Sequence, residues 1–244
     1  MDFTFVSPFK KNTRPVIGIF GDSFASGDPD PHLPYVKVWT NLIGNEYVVN
    51  NYAATGTSLF WTYTQLLKYM YECDIIVLVI TAPGRLYYPD PDFKIGTLNT
   101  TIAQKKGSTG RQFEILTAAE NYHVNLAQPD FDLFVHNKLV DEIRSTCNIN
   151  NKKLVLIPGF PENVKFQSVF QISLYDIMIQ ELYATFGDFK FREETTSRRN
   201  HMCFKNNEIL AGLVSKIINN TCQTVLLDDF VFEKEPHPEL FWKL

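Results

Sequence analysis

VIGIFGDS, residues Val16–Ser23, is an apolar run that halts on a glycine, a carboxylate and a hydroxyl. Its β-branched residues and unbroken apolarity, without alternation, mark a strand covered on both faces. Three further runs of this kind follow, at Tyr47–Asn50, Asp74–Thr81 and Lys153–Pro158. Helical spacing fills the intervals between them. Val36, Trp39, Leu42 and Ile43 follow Pro34 at such spacing, and Leu59–Met70, Phe166–Phe186 and Phe204–Ile218 continue the pattern. In the last of these, Ile209, Leu210, Leu213, Val214 and Ile217 form one stripe. Strands alternating with helices predict an α/β fold with a mostly parallel sheet, because parallel neighbours need crossovers. A fifth short strand is expected at Phe189–Phe191, giving about five in all.

The chain has 244 residues, 45% of them hydrophobic, and this predicts one large domain spanning 1–244. A formal net charge of -4 argues against a long nucleic-acid footprint. The basic pairs Lys105-Lys106 and Arg198-Arg199 are too short to alter that. Cys73, Cys147, Cys203 and Cys222 lack the spacing of a zinc knuckle and read as free thiols of a reducing compartment. No apolar run approaches the ~20 residues of a membrane span, and no leader pattern opens the chain. The expectation is a soluble, cytoplasmic protein with no membrane partner. The stretch 86–151 breaks the strand–helix rhythm. It reads as an insertion or lid of loops and helices, or equally as a long crossover between the third and fourth strands. The tail, 222–244, is expected to pack on the body, since Leu226, Leu227, Phe230, Phe232, Leu240, Phe241 and Trp242 would otherwise stay wet.

Three loops carry candidate chemistry. Ligands of open α/β sheets bind at the carboxyl ends of the strands, and Ser23 sits just past the first of these ends. Gly21 permits a tight turn there, and Asp22 can tie it down through backbone N–H groups. Asn51, Gly56 and the small residues between them follow the second strand, where a Gly56 N–H can donate to an oxyanion. His201 precedes the last helix in a polar loop, which places it toward the same rim. Each feature alone has an ordinary reading, as a turn or a surface histidine.

Taken together, the Gly21-Asp22-Ser23 block, Asn51 with Gly56, and Asn200-His201 resemble the SGNH (GDSL) hydrolase family, in the family's order. The resemblance covers most of Val16–Ile218 and implies a three-layer, flavodoxin-like fold. It implies ester hydrolysis, of lipids, acylated sugars or small acyl compounds, without a metal or organic cofactor. By position, Ser23 would be the nucleophile and His201 its base, with the Ser23 and Gly56 amides receiving the oxyanion. Two departures stand out. Where the family places an oxyanion Asn after the third strand, this chain offers Thr81 and Arg85. Where the family has an Asp three residues before the histidine, this chain has Arg198, which accepts no hydrogen bond. Glu194, Glu193, Asp188 or a backbone carbonyl would have to orient the imidazole instead.

Arg85 and Trp61 are candidate substrate contacts, with a solvated loop and core packing as their respective alternatives; Tyr63 is weighed in the same way. His32, Asp28 and Asp30 read as an exposed turn rather than a metal site, and His123, His136 and His237 as structural or exposed. The leading expectation is a serine esterase acting on a small or carbohydrate-linked acyl ester, an O-acetyl group above all. A binding module with a decayed site and an O-acyltransferase are the alternatives.

Overall fold

The computed structural model describes residues 14–26, 38–44, 47–88, 98–166, 169–186 and 202–232. Four strands, β1 (Val16–Phe20), β2 (Val48–Asn51), β3 (Ile75–Ile80) and β4 (Lys153–Pro158), form one parallel sheet in the order β2-β1-β3-β4. Ile17 lies opposite Val49 and Ile75, and Val77 opposite Val155. The expected fifth strand, Phe189–Phe191, lies outside the described residues.

The two interior strands explain the unbroken apolar runs. All six residues of β3 are buried, and the pleat sends alternate side chains to opposite faces. Ile17, Ile19, Val77, Val79 and Ile157 meet one core, with Trp39, Leu210 and Val214. Phe20, Ile76, Leu78 and Ile80 meet the other, with Leu66, Val140 and Ile143. Helices α1 (Trp39–Leu42), α6 (Leu174–Phe186) and α7 (Phe204–Ile218) thus cover the first face, and α2 (Leu59–Tyr69) and α5 (Pro129–Ile149) the second. The result is the expected α/β architecture of three layers. Truncating a residue such as Leu78, fully excluded from solvent, would cost ~2–5 kcal/mol.

Helix α6 starts later than its apolar run suggests. Ser173 and Asp176 cap it reciprocally: Asp176 N donates to Ser173 Oγ at 3.1 Å, and Ser173 N to Asp176 Oδ2 at 3.2 Å. The residues just before the cap form bends instead, and Phe170 makes a single parallel bridge to Val225. Buried apolar residues stand on both sides of the cap, Phe170 and Ile172 before it and Leu174 and Ile177 after it, so the apolar run does not mark where the helix begins.

Stretch 86–151 holds α3 (Leu98–Lys105), α4 (Gly110–Asn125) and α5. Helix α5 buries His136, Val140, Ile143 and Cys147, at helical spacing, and its Val140, Ile143 and Cys147 join the second core. It is the helix of the crossover between β3 and β4. Helices α3 and α4 pack on one another, with Lys105 paired to Glu120 at 2.6 Å. In the tail, Val225 and Phe230 join the first core, with Leu227 and Phe232 against it, while Leu226 stays 49% exposed. Leu240, Phe241 and Trp242 lie outside the described residues.

Candidate active site at the carboxyl rim of the sheet

Parallel strands bring all four carboxyl ends to one rim. At the end of β1, Gly21 has φ +147°, and a Cβ there would lie 2.9 Å from both Cβ and the carbonyl oxygen of Val79. Only glycine turns the chain here without strain or collision. The Asp22 side chain is fully buried. Its Oδ1 accepts from Phe24 N at 3.1 Å, and its Oδ2 from the Thr81 hydroxyl at 2.6 Å. Arg85 Nη1 stands 3.0 Å from the same Oδ2. The Asp22 carbonyl accepts from Ala25 N and Ser26 N, so residues 22–26 close one helical turn with Ser23 inside it. Ser23 is more enclosed than its place in a turn suggests, with 7% of its surface accessible.

The loop after β2 lies along this turn. Ala54 N donates to the Gly21 carbonyl at 3.1 Å. Asn51 Nδ2 donates to the Ala25 carbonyl at 2.8 Å, while its Oδ1 accepts from Ala53 N. The Thr57 hydroxyl sits between the Ala54 and Gly21 carbonyls, at 2.8 and 3.2 Å. Gly56, with φ +75°, reverses the chain before Ser58 caps α2 by accepting from Trp61 N at 3.3 Å. The Ser23 and Gly56 segments are thus hydrogen-bonded neighbours. Trp61 is half-buried on the first turn of α2. The Tyr63 hydroxyl reaches Glu142 on α5, which binds it to the scaffold.

At the end of β3, the Thr81 hydroxyl donates its one hydrogen bond to Asp22 Oδ2. Thr81, the residue expected at the oxyanion, here serves Asp22. Arg85 folds inward, its side chain 13% exposed. It donates to the Thr57 carbonyl at 3.2 Å and lies over the Phe160 ring. Asn163, fully buried, donates to the Ile80 and Thr81 carbonyls, each at 2.9 Å. Its Oδ1 meets His136 Nε2 at 2.9 Å. Burial drives the His136 pKa from 6.5 down to about 4, against the opposing effect of the Asn163 hydrogen bond. The ring is neutral at pH 7, and because Asn163 Oδ1 can only accept, Nε2 carries the proton. His136 is thus a buried strut with a partner, which its isolated position in the sequence did not reveal.

His201, Glu194, Glu193, Asp188 and Arg198 lie outside the described residues, as do His32, Asp28, Asp30 and His237. The start of α7, next to His201, is anchored nonetheless. Met202 is buried in the first core. Asn207 Nδ2 donates to the Met202 carbonyl at 3.1 Å, and its Oδ1 accepts from Trp39 N at 2.9 Å. The Trp39 indole in turn donates to the Phe24 carbonyl at 2.7 Å. Two side chains therefore connect the neighbour of residue 201 to the neighbour of Ser23. Glu181, buried on α6, accepts from Cys203 N with both carboxylate oxygens, at 3.0 and 2.9 Å. It caps α7, and the signal for it was an acid set in a strongly apolar helix.

Among the described residues, no group of three or more His, Cys, Asp or Glu side chains could hold a metal ion, and no helix is long and apolar enough to cross a membrane. A groove of about 720 Å³ lies toward the opposite rim, lined by Lys152, Lys153 and Asn220 among others. Its lysines are spent on carbonyls, Lys152 on Cys73 at 2.6 Å and Lys153 on Ile218 at 2.6 Å. Neither family models nor curated protein sequences gave a match. Among solved structures, the chain is similar to a lipase/acylhydrolase from Enterococcus faecalis, with 16% identity, a TM-score of 0.36, and 87% of this chain and 99% of that one covered. It is also similar to an acetyl xylan esterase, with 13% identity, a TM-score of 0.32, and 84% of this chain and 98% of that one covered.

Proposed function

We propose that the protein is a serine esterase acting on a small or carbohydrate-linked acyl ester, an O-acetyl group above all. The observation that carries this reading is the joining of the Ser23 turn to the Gly56 loop, with the α7 start tied to Phe24 beside them. In this reading the Ser23 Oγ attacks the acyl carbonyl while His201 takes the hydroxyl proton. The carbonyl π electrons move to oxygen, and the Ser23 and Gly56 amides receive that oxyanion; one such donor is worth roughly 10²–10³ in turnover. Collapse expels the alcohol, which leaves with the proton held by His201. Water then repeats the sequence on the acyl-serine, returning Ser23 and releasing the acid. Glu194 is the carboxylate proposed to orient the imidazole, and Trp61 flanks the acyl or sugar portion.

Treatment with a fluorophosphonate tests the reading. Ser23 Oγ displaces fluoride from phosphorus, so wild-type protein gains a stable adduct on Ser23, and Ser23→Ala and His201→Ala do not. An unmodified wild type, or equal modification of Ser23→Ala, would refute it in favour of a decayed binding module. The enclosure of Ser23 also favours a second reading, acyl transfer to a sugar hydroxyl, because a drier site protects an acyl-enzyme from water. Product analysis with an added sugar acceptor separates the two.

A further inference from the structure

Arg85 stands on the loop after β3, yet its partners lie on the other three loops of the rim. Its Nη1 is 3.0 Å from Asp22, after β1, and donates to the Thr57 carbonyl, after β2, at 3.2 Å. Its guanidinium carbon lies 5.4 Å from the ring centroid of Phe160, after β4. One planar cation thus gathers the carboxyl ends of all four strands.

Asp22 needs that cation. A carboxylate with no solvent access is costly unless paired and hydrogen-bonded. Asp22 meets the demand with Phe24 N, the Thr81 hydroxyl and Arg85. Because the bond from Phe24 N spans Ser23, the orientation of Asp22 sets the turn that presents the Ser23 hydroxyl and amide. The Thr57 carbonyl, gripped by the same guanidinium, follows Gly56 directly.

We infer that Arg85 is a positioning residue, holding the Ser23 turn and the Gly56 amide at a fixed separation by gripping Asp22 and Thr57 together. This inference rests on the serine-esterase reading. It gives the charge at the end of β3 a different task from an oxyanion donor or a substrate clamp: Arg85 sets where the two donors stand. Both contacts fall on the one nitrogen Nη1, held in place by the planar guanidinium that lies over the Phe160 ring; a lysine ammonium on its flexible stem has the donors but not that planar seat.

The test is the rate of fluorophosphonate labelling at Ser23, per folded molecule, in wild type, Arg85→Ala and Arg85→Lys, with and without sub-denaturing guanidinium ion. Displacing a reacting group by an ångström costs about 10²-fold, so Arg85→Ala is expected to label about 100-fold more slowly. Arg85→Lys should fall between the two. Guanidinium ion should accelerate Arg85→Ala saturably and leave wild type unchanged. With p-nitrophenyl acetate the loss should fall on kcat, not KM. Arg85→Ala labelling at the wild-type rate overturns the inference, as does a slow variant that ignores guanidinium and matches Arg85→Lys. Should Arg85→Ala fail to fold, wild-type labelling of Arg85→Lys overturns it equally. A wild type that takes no label removes the esterase reading and this inference together; a labelled wild type beside an indifferent Arg85→Ala removes this inference alone.

Discussion

The Trp39 amide donates to Asn207 Oδ1 at 2.9 Å, across 168 residues of sequence. This bond docks the start of α7, and with it the residue after His201, onto the segment that holds the Ser23 turn through the Trp39 indole. Asn207 is 1% exposed, so neither group has water to turn to. Asn207→Leu, similar in size, strands the Trp39 N–H and removes the side-chain donor to the Met202 carbonyl. With each unsatisfied buried group costing about 1–3 kcal/mol, the loss should be about 2–4 kcal/mol. For a chain of this length that lowers Tm by roughly 5–10 °C. Labelling of Ser23 should slow in the variant at temperatures where it is still folded. Unchanged melting and labelling would show that this bond does not hold the two segments together.

Gly21 and Gly56 both carry positive φ, but they should not respond alike to a methyl group. At Gly56, φ +75° lies where an alanine costs about 1–2 kcal/mol. At Gly21 the strain is compounded by a Cβ 2.9 Å from the Val79 backbone oxygen, which cannot rotate aside. Gly21→Ala should therefore cost about 2–6 kcal/mol. Urea denaturation of the two variants measures the difference. Equal midpoints would show that β3 gives way at Val79.

The sheet was legible first through its two interior strands: β1 and β3 are buried on both faces, and that burial writes an unbroken apolar run. Edge strand β2, half-exposed at Val49 and Asn50, still showed through its β-branched pair. Helix α7 was legible end to end because one face stays polar. The start of α6 was not, since Phe170 and Ile172 before its cap are as apolar and buried as Leu174 and Ile177 after it. At the site, Gly21, Asp22 and Gly56 announced themselves as turn chemistry. The pairing of Asp22 with Arg85 did not, because 63 residues separate partners that only the strand order brings together. Asn163 and His136 were hidden for the same reason, one on a turn after β4 and the other on α5.

His136 makes stability depend on pH. Its folded pKa is depressed, from 6.5 to about 4. Between those values the unfolded chain binds a proton that the folded chain excludes, so stability is full above pH 6.5 and falls as pH drops toward 4. A gap of that size corresponds to about 3 kcal/mol. Glutamine at this position can still donate to Asn163 and does not titrate. Denaturant melts of wild type and His136→Gln from pH 7 to pH 4 should diverge, with wild type losing about 3 kcal/mol more than the variant. Parallel pH profiles would mean that His136 takes up its proton as readily in the folded protein as in the unfolded chain.

The enclosure of Ser23 makes a prediction about the ester. With 7% of its surface accessible, the serine offers little room for a long acyl chain to approach in line with its hydroxyl. Asp22 and Phe24 on either side belong to the core and do not move aside without breaking the Asp22 turn. Hydrolysis of p-nitrophenyl esters should therefore be fastest for acetate and should fall through butyrate to octanoate. The fall should appear in kcat/KM after subtraction of the Ser23→Ala background. A short acyl group loses little by entering such a site. A long one would have to leave its chain in water or displace packed side chains, and overpacking a well-filled site costs about 1–3 kcal/mol. At 1.36 kcal/mol per factor of ten, that range corresponds to a roughly 5- to 150-fold preference for acetate. A rate that rises with chain length would instead place the acyl group along an apolar channel and overturn the small-acyl reading, while leaving the serine chemistry in place.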